Sequence, residues 1–77
     1  MANDYKETKF LDRLAKQIAS LRKKKGYTQE RLAAEAGIDR VALANIETGR
    51  RRPTVTTVYR IATALDMHVR QLFDFYQ

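Results

Sequence analysis

Two runs of positive charge bracket the middle of this chain, Arg22-Lys23-Lys24-Lys25 on one side and Arg50-Arg51-Arg52 on the other. They hold seven of the 15 Lys and Arg residues; with nine Asp and Glu, the formal net charge is +6 and the pI about 10.0. Cations clustered in this way suit phosphate oxygens, and a small basic domain points to a polyanionic partner, with nucleic acid ahead of a membrane surface. Between the runs stand Thr28 and Gln29, where a helix can start. The free amides and positive dipole end of such a start also suit a phosphate. Other chemistry is not expected. The chain has no cysteine and one histidine, His68, too few for a metal cluster. No nucleophile–base set is visible and the carboxylates are scattered, so we expect no catalytic residues, no metal and no cofactor. His68 reads as a surface or capping residue.

The stretch TQERLAAEAGIDRVALANIET, residues 28–48, must position whatever binds. It reads as two short helices, over 28–36 and 40–48, set at a steep angle across a tight turn at Gly37. Thr28 and Asp39 stand where N-caps belong, because their side-chain oxygens can accept from free amides one turn on. Gly37 sits where the chain must leave a helix with positive φ. Ala33 is small where the helices would cross, and Leu32, Ala36, Ile38, Leu43 and Ile46 supply apolar contacts. Upstream, a helix is expected from about Thr8 to Lys25. Its apolar stripe is Leu11, Leu14, Ile18 and Leu21, widened by Phe10 and Ala15. Residues 1–7 read as a flexible arm, and 8–77 as one domain. Downstream, Gly49 closes the third helix, and Thr54 caps a fourth carrying Val58, Ile61, Ala62 and Leu65. Asp66 is its exit, and a last helix is expected over 69–75. No strand-like alternation or repeat appears, so the class is all-α with five helices. No apolar run approaches the roughly 20 residues of a membrane span, and the polar start MANDYKETK is no signal peptide. A cytoplasmic protein without a membrane partner is expected.

The register of Ala33, Gly37, Leu43 and Ile46 resembles the helix-turn-helix of the phage-repressor and Cro family of DNA-binding domains. So do the opening Thr28-Gln29, the ending Ile46-Glu47-x-Gly49 and the basic run before Pro53. The resemblance covers roughly residues 10–73. It implies a lambda-repressor-like bundle with a central helix-turn-helix, in a prokaryotic, sequence-specific transcriptional regulator. Such a protein would bind a near-palindromic operator as a homodimer through the major groove.

By the same resemblance, the positions that touch bases are Asp39, Arg40, Val41 and Asn45, with Ala44 beside them. Arg40 can donate twice to guanine, Asn45 can pair with adenine, and Val41 can meet a thymine methyl. Arg40 could instead contact a phosphate or pair with Asp39, and Asp39 could serve only as a cap. Thr28, Gln29, Thr48, Arg50, Arg51 and Arg52 match or adjoin backbone-contacting positions, with Gln29 the strongest anchor. Arg22 and Glu47 match an ion pair that would hold the reading helix against the first helix. Leu72 and Phe73 are expected to include core contacts, Phe75 and Tyr76 are more apolar surface than a small monomer needs to bury, and a dimer interface is expected across these four residues. Ile38-Asp39-Arg40 leans toward the small controller proteins of restriction–modification systems. The expected partners are double-stranded DNA and a second copy, with RNA polymerase a further candidate and no small-molecule effector evident. The competing reading is an antitoxin-like module whose main partner is another protein.

Overall fold

Each apolar stripe of the sequence becomes the inner face of a helix. The computed structural model describes residues 4–75. Its helices are α1 (Asp4–Lys24), α2 (Gln29–Ala36), α3 (Arg40–Glu47), α4 (Val55–Ala64) and α5 (Val69–Leu72), and no strand occurs among the described residues. α1 lies against α3 and α5, α2 against α3 and α4, and α4 against α5. One core results. Leu14 and Ile18 of α1 meet Leu32, Ala33 and Ala36 of α2, Leu43 and Ile46 of α3, Val58, Ile61 and Ala62 of α4, then Leu65 and Leu72. Full burial of an aliphatic side chain of this size is worth about 1.5–3 kcal/mol, so Ile18, Leu32, Leu43, Ile61, Leu65 and Leu72, all under 2% exposed, anchor the bundle.

The helix starts fall on the expected caps. Thr28 Oγ1 accepts from Arg31 N at 3.0 Å, Asp39 Oδ2 from Val41 N at 3.1 Å and Thr54 Oγ1 from Thr57 N at 3.1 Å. At the turn, Gly37 takes φ 71° and ψ 33°. The next amide, Ile38 N, bonds back to Ala33 O at 3.0 Å, satisfying a carbonyl that the helix end would leave free.

The ends of the chain differ from expectation. α1 begins at Asp4 rather than near Thr8, so residues 4–7 are helical and not an arm. Glu7 stands in that first turn, where the dipole favours a carboxylate, and reaches Arg52 at 3.7 Å. α5 is a single turn and stops at Leu72 instead of running to residue 75. Beyond it the chain folds back on α1: Arg13 Nη2 donates to Phe75 O at 2.8 Å and Gln17 Nε2 to Gln71 O at 3.1 Å. Phe73 and Phe75 both rest on Phe10, with centroids 6.0 and 5.6 Å away. In a continued helix these two rings would point about 200° apart and could not share that partner.

The expected dimer residues are therefore largely engaged within the chain. Leu72 is 0% exposed, so the core consumes the surface it would offer a second copy; that assignment is corrected. Phe73 and Phe75 are half-buried, and Tyr76 lies outside the described residues. No helix among the described residues is long and apolar enough to cross a membrane.

Candidate nucleic-acid interface

α3 is a helix of short side chains with two anchors. Leu43 and Ile46 point into the core at 0% and 3% exposure, which turns the opposite face outward. Residues three and four apart share a helix face, so Val41, Ala44, Asn45 and Thr48 form one strip, with Arg40 at its start. Val41 is 54% exposed, unusual for a valine on a helix whose other aliphatics are buried, and it has a methyl surface to give. Ala44 and Asn45 are half-buried and Arg40 is exposed. Asp39 spends one carboxylate oxygen on the cap, so its structural role is in place whatever else it touches.

The first basic run is only partly available to a polyanion. Arg22 is 8% exposed. Its Nε and Nη2 donate to the two carboxylate oxygens of Glu47 at 2.7 and 3.0 Å, and its Nη1 to Tyr27 O at 2.8 Å. The two residues expected as an ion pair are thus joined in a fork that ties the last residue of α3 to the end of α1. A buried charge needs such a partner, because leaving it alone costs far more than an exposed pair contributes. Lys25 Nζ donates to Leu65 O at 3.1 Å, closing the end of α4. Lys23 and Lys24 remain exposed.

At the start of α2, Thr28, Gln29, Glu30 and Arg40 line one shallow cleft with Arg22. The openings of α2 and α3 therefore lie side by side. Thr28 accepts the capping bond and keeps its own O–H for an outside acceptor. Gln29 is half-buried, and its Nε2 donates to Glu47 Oε1 at 3.0 Å. Sequence reasoning missed this bond, and it missed Glu30, whose carboxylate stands in the same cleft. The signal for Glu30 was present: an acid in a helix's first turn.

Past α3, the amides of Arg50 and Arg51 both bond to Asn45 O, at 2.9 and 3.2 Å, so the basic loop turns back at the helix end. Arg50, Arg51 and Arg52 are exposed. Arg52 already has Glu7 beside it. The Thr48 hydroxyl bonds to Ala44 O at 3.1 Å and would have to leave it to donate to a phosphate. On the outer side of α2, Arg31 bonds to Glu35 at 2.9 Å and lies 4.1 Å over the Tyr27 ring; the Glu35 bond holds its guanidinium pKa above the ordinary value. No cluster of metal-ligating side chains occurs among the described residues.

The geometry is that of known helix-turn-helix proteins. The sequence profile of the HTH_3 (helix-turn-helix) family matches residues 18–72. The HTH-type transcriptional regulator y4dJ of Sinorhizobium fredii is 48% identical over 48 residues, which span 62% of either chain. An HTH-type regulator of Methanothermobacter thermautotrophicus is 40% identical over 57 residues, 73% of this chain and 83% of that one. Among solved structures, the restriction–modification controller protein C.AhdI of Aeromonas hydrophila superposes with a TM-score of 0.81 at 36% identity, covering 82% of this chain and 96% of the controller. With its family profile matched over most of its length, and with relatives named as HTH-type transcriptional regulators, the chain belongs to the HTH_3 helix-turn-helix family.

Proposed function

We propose that the protein recognises one near-palindromic operator as a homodimer, inserting α3 into the major groove of each half-site. The observation that carries this is the outward strip of Arg40, Val41, Ala44 and Asn45, the first two exposed and the last two half-buried, on a helix whose last residue is held by a buried bidentate pair. Arg40 and Asn45 read base edges, Val41 packs on a methyl, and Ala44 lets the backbone approach. Thr28 and Gln29 at one end, and Thr48 with Arg50, Arg51 and Arg52 at the other, hold phosphates and set the orientation. The likeness to a restriction–modification controller supports the same class of role, in the cytoplasm of a prokaryote. Bound at a promoter, the protein would act by contacting or excluding RNA polymerase.

For the two-fold contact we propose the C-terminal surface without Leu72: the open edges of Phe73 and Phe75, and Val69, which is 37% exposed. The protein-partner alternative rested on free C-terminal aromatics; with the rings of Phe73 and Phe75 packed on Phe10, another protein would have to use the same open edges.

Selection of bound sites from a random DNA library tests the proposal. The expected product is two inverted half-sites about one helical turn, ~10 base pairs, apart. With some six phosphates contacted, log affinity should fall against log salt with a slope of about −5. Equal affinity for all sequences at physiological salt would overturn it.

A further inference from the structure

The bond between Gln29 and Glu47 joins two parts of the interface that the sequence separates by 18 residues. Gln29 is the first residue of α2, and Glu47 is the last of α3. The Glu47 side chain is 4% exposed, and its carboxylate takes three donors: Arg22 Nε on Oε2, and Arg22 Nη2 and Gln29 Nε2 together on Oε1. We infer that Glu47 is a positioning residue for DNA binding, holding the Gln29 amide in place for a backbone phosphate. The inference rests on the reading of Gln29 as a phosphate contact.

Three physical steps support it. A glutamine side chain has several rotamers, and ordering it at the moment of binding costs entropy; here the ordering is done in the free protein. An amide nitrogen carries two hydrogens, so the bond to Glu47 leaves the second for an outside acceptor. Because the amide is planar, anchoring one hydrogen on Glu47 also fixes the direction in which the second N–H points. The same carboxylate neutralises Arg22, so this arginine of the basic run serves the interface from beneath and contacts no phosphate. The consequence is geometric: a phosphate held at the start of α2 is tied through one carboxylate to the far end of the reading helix.

The test is a cycle on the selected operator. Replacing a buried ion pair with apolar side chains of similar volume generally leaves a fold intact, so R22M/E47L removes the Gln29 acceptor without burying an orphan charge. It should melt close to wild type and bind every operator variant about tenfold more weakly, the size of one hydrogen bond to a charged group. Adding Q29A should then cost nothing more, although Q29A alone weakens wild type. Neutral methylphosphonate placed phosphate by phosphate should reveal one position that matters for wild type and not for R22M/E47L. If R22M/E47L does not fold, R22L/E47M, which exchanges the two apolar side chains, carries the same cycle, with non-additivity against Q29A as the expected result. A folded R22M/E47L that binds like wild type, or a Q29A effect of full size in its background, overturns the inference while leaving DNA recognition intact. Wild type that selects no DNA sequence removes the underlying reading and this inference with it.

Discussion

Gly49 is the residue through which α3 hands the chain to the arginine loop, and two separate costs meet there. Its φ is +78°, and a Cβ built on it would lie 2.8 Å from Asp12 Oδ1. Gly37 offers a control: its φ is +71°, but nothing lies within 4 Å of its Cβ position. Left-handed backbone costs an L-residue roughly 1–2 kcal/mol. Alanine recovers about 0.4–1 kcal/mol of that by restricting the unfolded chain. Gly37→Ala should therefore destabilise by about 1 kcal/mol. Gly49→Ala should cost the same and also displace the Asp12 carboxylate, a further 0.5–1.5 kcal/mol or so if the side chain is driven off its rotamer. The expected difference between the two variants is about 1 kcal/mol, or roughly 4–8 °C in midpoint for a domain of this size. Thermal and urea unfolding followed by circular dichroism would measure it. Asp12→Ala in the Gly49→Ala background should return the loss to the Gly37→Ala level. Equal losses at the two glycines, or no rescue by Asp12→Ala, would refute the argument and place Asp12 away from the loop in solution.

Arg40→Ala should weaken binding by about 1–3 kcal/mol at one base position and relax the preference there, whereas Gln29→Ala should weaken all sites alike; site selection with both variants separates these outcomes, and an unchanged motif for Arg40→Ala would move that residue to the phosphates. Glu30→Gln, which removes a negative charge from the cleft at the start of α2, should tighten operator binding about threefold at low salt and less at high salt, as read by anisotropy titration. Asp66 is the one non-glycine residue with positive φ among those described, at 58°, so Asp66→Gly should raise stability by about 0.5 kcal/mol in urea unfolding. Phe75→Ser should lower stability by about 1–2 kcal/mol, because the ring it removes packs on Phe10 and under Arg13; sedimentation of the same variant shows whether a second copy also depended on that ring.

Features built from neighbouring residues were legible in the sequence. The caps at Thr28, Asp39 and Thr54 are local chemistry, a side-chain oxygen meeting an amide two or three residues on. The apolar stripe through Leu14 and Ile18 is likewise a matter of helical spacing, and so is the open strip through Val41 and Asn45. Arg22 and Glu47 are 25 residues apart, and only resemblance could pair them. The third member, Gln29, was assigned to phosphate alone, because nothing in the order of residues says that α2 starts beside the end of α3. Arg22 was read as an ion-pair partner, but the internal bond of Lys25 and the acidic neighbour of Arg52 were not foreseen. Charge can be counted from a sequence, but its partners cannot. The C-terminus failed for a related reason: the apolar pattern of residues 69–75 does not reveal that Phe10 lies waiting for two rings.

The bonds from Arg13 to Phe75 O and from Gln17 to Gln71 O close loops of 62 and 54 residues, whereas the turn between α2 and α3 is closed by neighbours. Loop closure entropy rises as 1.5RT ln n, so bringing these ends together costs roughly 2 kcal/mol more than closing a tenth-length segment of comparable flexibility. During folding, the reading unit and α4 can therefore assemble before the clasp between α1 and the C-terminal turn has closed. In the folded molecule, the clasp should be the first to let go. Amide exchange should follow that order, fast at residues 73–75 and slow in α2 and α4. If exchange follows that order, opening of the clasp would expose Phe73 and Phe75 while α2 and α3 stay formed.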